Sequence, residues 1–177
     1  PISRELAIQI GESFSTYGSY TNIRNTVIFG GVKQGAQEVA LRKGVDVLVA
    51  TPGRLLDLIN QNIITLKHVE YFVLDEADRM LDMGFSDDIL KIINYLPKNR
   101  QTVLFSATMP PKIRELAKKV LKDPVEINIA LSKPAAGVVQ AVCLVYDSQK
   151  TPLINGMISK KPEIKSILIF TSTKKKV

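Results

Sequence analysis

Short apolar runs alternate along the chain with stretches in which apolar residues return every three to four positions, the pattern of strands interleaved with amphipathic helices. Leu6, Ile10, Phe14 and Tyr17 predict one helix face, residues 26–29 a β-branched strand, and residues 34–43 a helix closed by Gly44. Residues 45–50 are nearly all apolar and read as the next strand. Thr51 then stands as an N-cap with Pro52 in the first helical position, where the N–H that proline lacks would have no partner anyway. The run 71–74 predicts a third strand, followed by a short helix stopped near Gly84. Ser86 is expected to cap a helix whose Ile89, Ile92, Ile93 and Leu96 share a stripe, with Pro97 marking its end. Residues 102–105 form a strand, Pro111 opens a helix with Ile113, Leu116, Ala117, Val120 and Leu121 on one face, and residues 125–129 read as a further strand.

Continuous apolar strands separated by amphipathic helices specify a parallel sheet covered on both faces, so an α/β doubly wound domain is expected over residues 1–130. Near residue 131 the pattern lapses into Ala, Ser, Lys, Pro and Gly, a linker composition assigned to 131–138. A second unit follows over 139–177. Its strand at 141–146, helix at about 151–160 and strand at 166–170 amount to one βαβ element, too little for an independent domain.

Composition narrows the class mainly by exclusion. At 177 residues and 45% hydrophobic content the chain can bury a core, which removes disordered and fibrous readings. One Cys and one His preclude an internal disulfide and a conventional zinc site, and make a reducing, cytoplasmic setting the expectation. Cys143 reads as a buried filler in an apolar strand, and His68 as a solvated loop residue. No apolar run approaches the ~18 residues of a membrane helix and no leader pattern opens the chain, so neither export nor membrane spanning is expected. A start at Pro1 and a stop at Lys174, Lys175, Lys176 and Val177 read as a piece of something larger.

The net charge of +7 is unevenly spread. Residues 1–130 hold 16 Lys and Arg against 15 Asp and Glu, while residues 131–177 hold 8 against 2. An anion site in the first block must therefore rest on a few placed groups and helix N-termini. The basic tail, including Lys133, Lys160 and Lys161, reads as a solvated face.

Chemistry concentrates where strands end, because loops and helix N-termini converge there in a parallel sheet. The 71–74 run leads straight into Asp75, Glu76, Ala77 and Asp78, three carboxylates in four residues. An acid ending a buried strand is how P-loop nucleotide hydrolases hold Mg²⁺, and a neighbouring carboxylate can orient the attacking water. An acidic first helical turn complementing the helix dipole is the plainer alternative. Ser106 and Thr108 follow the next strand as hydroxyl partners for a carboxylate, or as a capping segment. Arg54 comes just after the capped turn of Thr51, Pro52 and Gly53, a helix N-terminus plus a guanidinium able to hold a phosphate without reading bases. The pair Gly30 and Gly31 permits close backbone approach.

Taken in order, these strings resemble the DEAD-box RNA helicases of superfamily 2, with wording most similar to the bacterial RhlE-like branch. Ser3, Arg4, Glu5, Leu6 and Ala7 resemble motif Ia, with Ile2 where the family usually has Pro and Ser3 where it usually has Thr. Gly30 and Gly31 resemble the GG motif, and Thr51 to Leu55 motif Ib. Asp75 to Asp78 match motif II, Ser106 to Thr108 motif III, and residues 169–173 the opening of motif IV.

The resemblance implies a partial RecA-like first helicase domain followed by the first βαβ element of a second one. It implies ATP and Mg²⁺ as cofactors and RNA as the partner, gripped by its backbone, with further protein partners of ribonucleoprotein or degradosome type. Asp75 would hold Mg²⁺ through water and Glu76 would orient or deprotonate the attacking water. Asp78, Ser106 and Thr108 would couple nucleotide state to domain closure. Ser3, Arg4, Gly30, Gly31, Thr51, Gly53 and Arg54 would grip one RNA strand. No G-x-x-x-x-G-K-[ST] phosphate loop occurs in the sequence. The expected phosphate loop and adenine-reading Q motif therefore lie before Pro1, and motifs V and VI beyond Val177. Two other readings stand beside this one. The chain alone acts as a non-enzymatic RNA-binding module, or it is a flavodoxin- or dehydrogenase-type nucleotide fold, against which counts the lack of a G-x-G-x-x-G after the first strand.

Overall fold

The computed structural model describes residues 3–129, 137–159 and 165–171. The chain divides into two units, Pro1–Glu126 and Ile127–Val177. The first carries nearly all the regular structure. Its opening helix α1 (Arg4–Tyr17) packs on strand β1 (Asn25–Ile28). The buried positions of α1 are Ala7 and Gly11, not the Leu6, Ile10, Phe14 and Tyr17 face expected from spacing, and Tyr17 is 84% exposed. The cause is close approach. A Cβ on Gly11 would collide with Cγ2 of Val27, so the helix meets the strand through its smallest residues and leaves its aromatics outside.

Strand β1 pairs in parallel with β2 (Val47–Ala50), Ile28 opposite Ala50. Between them runs α2 (Gly35–Arg42), which ends through Lys43 at Gly44, whose φ of 84° is the left-handed conformation that favours glycine. Arg24 ties this crossover to the sheet. Its N–H and Nε donate to the Asp46 carboxylate at 2.8 and 3.1 Å, and its Nη1 donates to the Lys43 carbonyl at 2.7 Å.

Helix α3 (Pro52–Asn60) follows β2 with Thr51 at its N-cap position and Pro52 first in the helix, as expected. Its Leu55, Leu56, Leu58 and Ile59 are buried with Ile28, Leu66, Ile92 and Leu96. Full burial of one such side chain contributes about 1.5–3 kcal/mol. Strand β3 (Tyr71–Leu74) pairs in parallel with β4 (Gln101–Leu104), Leu74 opposite Leu104. The short α4 (Ala77–Asp82) and α5 (Ser86–Tyr95) lie between them in sequence, and α6 (Pro111–Val120) follows. Leu74, Met80, Ile89, Leu116 and Val120 make the second apolar cluster. Phe72 and Ile93 pack against both clusters and join them into one core.

Several expectations need correction. The parallel strands form two two-stranded sheets rather than one continuous sheet among the described residues. Ser86 is the first residue of α5 instead of its cap: Phe85 holds the cap position, and its carbonyl accepts the Ile89 N–H at 2.9 Å. Residues 125–129 are not a strand, and Val125, Ile127 and Ile129 are exposed.

In the second unit the one described element is α7 (Asp147–Ser159). It starts earlier than the expected position near 151, because the Gln149 side chain accepts the Tyr146 N–H at 3.0 Å while the Gln149 N–H donates to the Tyr146 carbonyl at 2.9 Å. Residues 141–146 and 166–170 are not strands, so the expected βαβ element is represented by its helix. Cys143 is consequently exposed, not buried. Residues 130–136, which carry most of the linker assignment and Lys133, and the lysines at 160, 161 and 174–176 lie outside the described residues.

Candidate functional site

Two groups of predicted site residues gather at the carboxyl ends of the two strand pairs. The first lies beyond β3 and β4. The strand ladder runs on past Leu74, with the Phe105 N–H donating to the Leu74 carbonyl at 2.8 Å and the Ala77 N–H donating to the Phe105 carbonyl at 3.0 Å. This brings the acidic tetrapeptide beside the Ser-Ala-Thr segment. Asp78 receives the Thr108 hydroxyl at 2.7 Å and the Thr108 N–H at 2.9 Å on one carboxylate oxygen. Ser106 works in both directions: its hydroxyl accepts the Asp78 N–H at 3.2 Å and donates to the Thr108 carbonyl at 2.7 Å. Burial pushes the Asp78 carboxyl up, but the bonds from the Thr108 hydroxyl, the Thr108 N–H and the Arg79 N–H outweigh it and hold the group below the ordinary carboxylate range.

Asp75 and Glu76 are half-buried, and Oδ1 of Asp75 accepts the Glu76 N–H at 2.9 Å. Glu76 adopts φ 51° and ψ 48°, the left-handed region, which a residue with a Cβ seldom occupies. The strained residue lies in the two-residue turn from β3 into α4, and such strain gathers at functional positions.

The second group lies beyond β1 and β2. The Thr51 N–H continues that ladder to the Ile28 carbonyl at 3.0 Å, which puts the start of α3 beside the Gly30–Gly31 loop. Ser3 caps α1 by accepting the Leu6 N–H at 3.1 Å, and the Arg4 guanidinium stacks 5.0 Å from the centre of the Phe29 ring, next to Gly30. The Thr51 hydroxyl makes no cap bond, so the first-turn N–H of Gly53 keeps no side-chain acceptor. A Cβ on Gly30, Gly31 or Gly53 would meet nothing within 4 Å. Gly31 needs glycine for its φ of 79°, whereas Gly30 and Gly53 have ordinary backbone and free space above them.

Arg54, expected to help hold a phosphate, has its guanidinium bonded within the chain: Nη1 donates to the Gln37 side-chain oxygen at 3.0 Å, Nη2 donates to the Val32 carbonyl at 3.1 Å, and Nε lies 4.0 Å from Asp57. Its side chain is only 11% exposed. The reason is Gln37, the buried polar side chain of α2, which sequence reading passed over. A polar residue one helical turn before the core-facing Leu41 was the available signal.

Comparison with known proteins identifies the family. Residues 3–116 match the family model for the DEAD/DEAH box helicases. The chain is 44% identical over 177 residues to the ATP-dependent RNA helicase DBP2 of Eremothecium gossypii, covering 98% of this chain and 32% of that protein. It is 42% identical over 175 residues to DEAD-box ATP-dependent RNA helicase 20 of Arabidopsis thaliana, covering 98% and 35%. The chain thus spans about a third of the length of the curated relatives it matches. Among solved structures, a hypothetical ATP-dependent RNA helicase from Sulfolobus tokodaii aligns with a TM-score of 0.66 at 40% identity, over 70% of this chain and 37% of that one. S. cerevisiae dbp5, as a variant bound to a gle1 variant and IP6, aligns with a TM-score of 0.65 at 36% identity, over 72% and 32%. These neighbours carry the RecA-like α/β fold. With its family model matched over most of its length and its motif residues gathered at two strand-end sites, this chain belongs to the DEAD/DEAH box helicase family.

Proposed function

We propose that this chain is the nucleotide- and RNA-facing part of an ATP-dependent RNA helicase that opens short duplexes or remodels RNA–protein particles without reading sequence. The observation that carries this reading is the bonding of Asp78 to Ser106 and Thr108, which makes the acidic tetrapeptide and the hydroxyl segment one rigid piece. The donor set suits Mg²⁺ held mostly by water and phosphate: Asp75 directly follows a strand with one oxygen oriented by the Glu76 N–H, and among the described residues no three His, Cys, Asp or Glu side chains are grouped so that they could hold a metal ion by themselves. When bound, Mg²⁺ neutralises charge on the phosphates.

Asp75 would hold that ion through water. Glu76 orients or deprotonates the water that attacks the γ-phosphate. Asp78, Ser106 and Thr108 transmit nucleotide state to domain closure. Ser3, Arg4, Gly30, Gly31, Thr51 and Gly53 meet the phosphate backbone of one RNA strand, with Arg54 behind them. Open space over Gly30 and Gly53, which no packing inside the chain requires, supports a partner that approaches the backbone closely. Phosphate contacts of this kind carry no base information.

The reading stands at family level. The relatives named above are fungal and plant proteins and give no support to the RhlE-like branch. Protein partners of ribonucleoprotein or degradosome type and a cytoplasmic setting belong to the proposal. Among the described residues no helix is long and apolar enough to cross a membrane.

One observation favours the second reading, a non-enzymatic RNA-binding module: the 177 residues hold no phosphate loop. Residues 1–177 alone are therefore expected to show no micromolar ATP binding by calorimetry. In the full-length protein that carries this chain, ATP hydrolysis stimulated by single-stranded RNA supports the helicase. RNA binding with no hydrolysis there supports the module.

A further inference from the structure

Gln37 is 8% exposed and is the buried polar residue among the described side chains. Its Nε2 donates to the Phe29 carbonyl at 3.1 Å and its Oε1 accepts Nη1 of Arg54 at 3.0 Å. Arg54 in turn donates from Nη2 to the Val32 carbonyl at 3.1 Å. The two bonded carbonyls, of Phe29 and Val32, bracket Gly30 and Gly31. The loop is thus held at both ends by one relay that is anchored on α2 and on the first turn of α3. We propose that Gln37 and Arg54 are positioning residues that clamp the Gly30–Gly31 loop against the start of α3, preforming the backbone surface that RNA phosphates meet. This rests on the helicase reading above.

The clamp has a physical rationale. Glycines without packing neighbours are conformationally loose, and a loose loop would lose ordering entropy on binding. Fixing the carbonyls on either side removes that cost beforehand. A consequence distinguishes the clamp from direct grip. An arginine that neutralises a phosphate contributes about 0.7 to the slope of log affinity against log salt for a single strand. A guanidinium whose Nη1 and Nη2 are bonded within the chain contributes to affinity but not to that slope.

The test uses the full-length protein that carries this chain and two readouts. Fluorescence anisotropy with a single-stranded RNA oligomer, titrated in salt, gives affinity and slope; amide hydrogen exchange at residues 30–33 without RNA reports loop order. Gln37→Met keeps side-chain reach but removes both bonds. It is expected to weaken RNA binding roughly tenfold and speed exchange at 30–33. Gln37→Glu keeps the acceptor for Arg54 and is expected to recover part of both changes. Arg54→Ala should lower affinity with the salt slope unchanged, and Gln37→Met added to Arg54→Ala should cost little more. Unchanged exchange in folded Gln37→Met protein overturns the clamp. So does a slope that falls by one contact's share in Arg54→Ala. Wild-type protein that binds no RNA overturns the helicase reading instead, while the exchange arm still decides the loop restraint.

Discussion

Thr108 bonds the Asp78 carboxylate twice, through its hydroxyl at 2.7 Å and its N–H at 2.9 Å, across thirty residues of sequence. The bond count explains why Asp78 titrates low despite the opposing effect of burial. A carboxyl whose folded pKa is depressed stabilises the fold above its unfolded pKa of about 3.9, and that contribution is lost as pH falls through the lower folded value. Asp78→Asn is therefore expected to lower the melting temperature at neutral pH, with the gap from wild type closing below about pH 4. Asp46, also held low through its bonds from Arg24, titrates in the same acid window, so the difference between the two proteins is the quantity to read. A gap that stays constant down to pH 2 would show that Asp78 owes nothing to its charge.

Gly30 and Gly53 give a prediction in which fold and function separate. Neither has a positive φ, and neither has an atom of the chain near its missing Cβ. Gly30→Ala and Gly53→Ala should melt at or above the wild-type temperature, since alanine restricts the unfolded chain and favours the helix. Both should weaken single-stranded RNA binding by roughly fivefold or more, because the added methyl occupies the approach path. Wild-type affinity in both variants would move the RNA track away from this edge.

Gly11 makes the opposite case. Its added Cβ meets Val27, a neighbour on a strand that cannot retreat, so Gly11→Ala is expected to destabilise by about 1–3 kcal/mol in denaturant unfolding. Adding Val27→Ala reopens the space, and the double variant should be more stable than the sum of the two single losses. Simple additivity would remove the steric explanation for how α1 seats on β1.

Sequence alone revealed much of this because some signals are local. Pro52 after Thr51, the stripes of α5 and α6, and the acidic string after the 71–74 strand each depend on neighbouring residues, and each stands where expected. What stayed hidden depends on distant partners. The 125–129 run has strand composition yet is not a strand, and the aromatics of α1 are turned out because Gly11 admits Val27 more closely. Arg54 reads as a phosphate ligand, and nothing next to it in sequence tells that Gln37 and the Val32 carbonyl, 17 and 22 residues away, bond its guanidinium.

The hydrolytic role of the strand-end carboxylates is tested most directly by Glu76→Gln in the full-length protein that carries this chain. The exchange leaves size and backbone alone and removes the group that orients or accepts a proton from water. RNA-stimulated ATP turnover is expected to fall by at least ~10² while ATP affinity, measured by calorimetry, stays at the wild-type value. Equal turnover in the two proteins would contradict the account and take Glu76 out of the reaction.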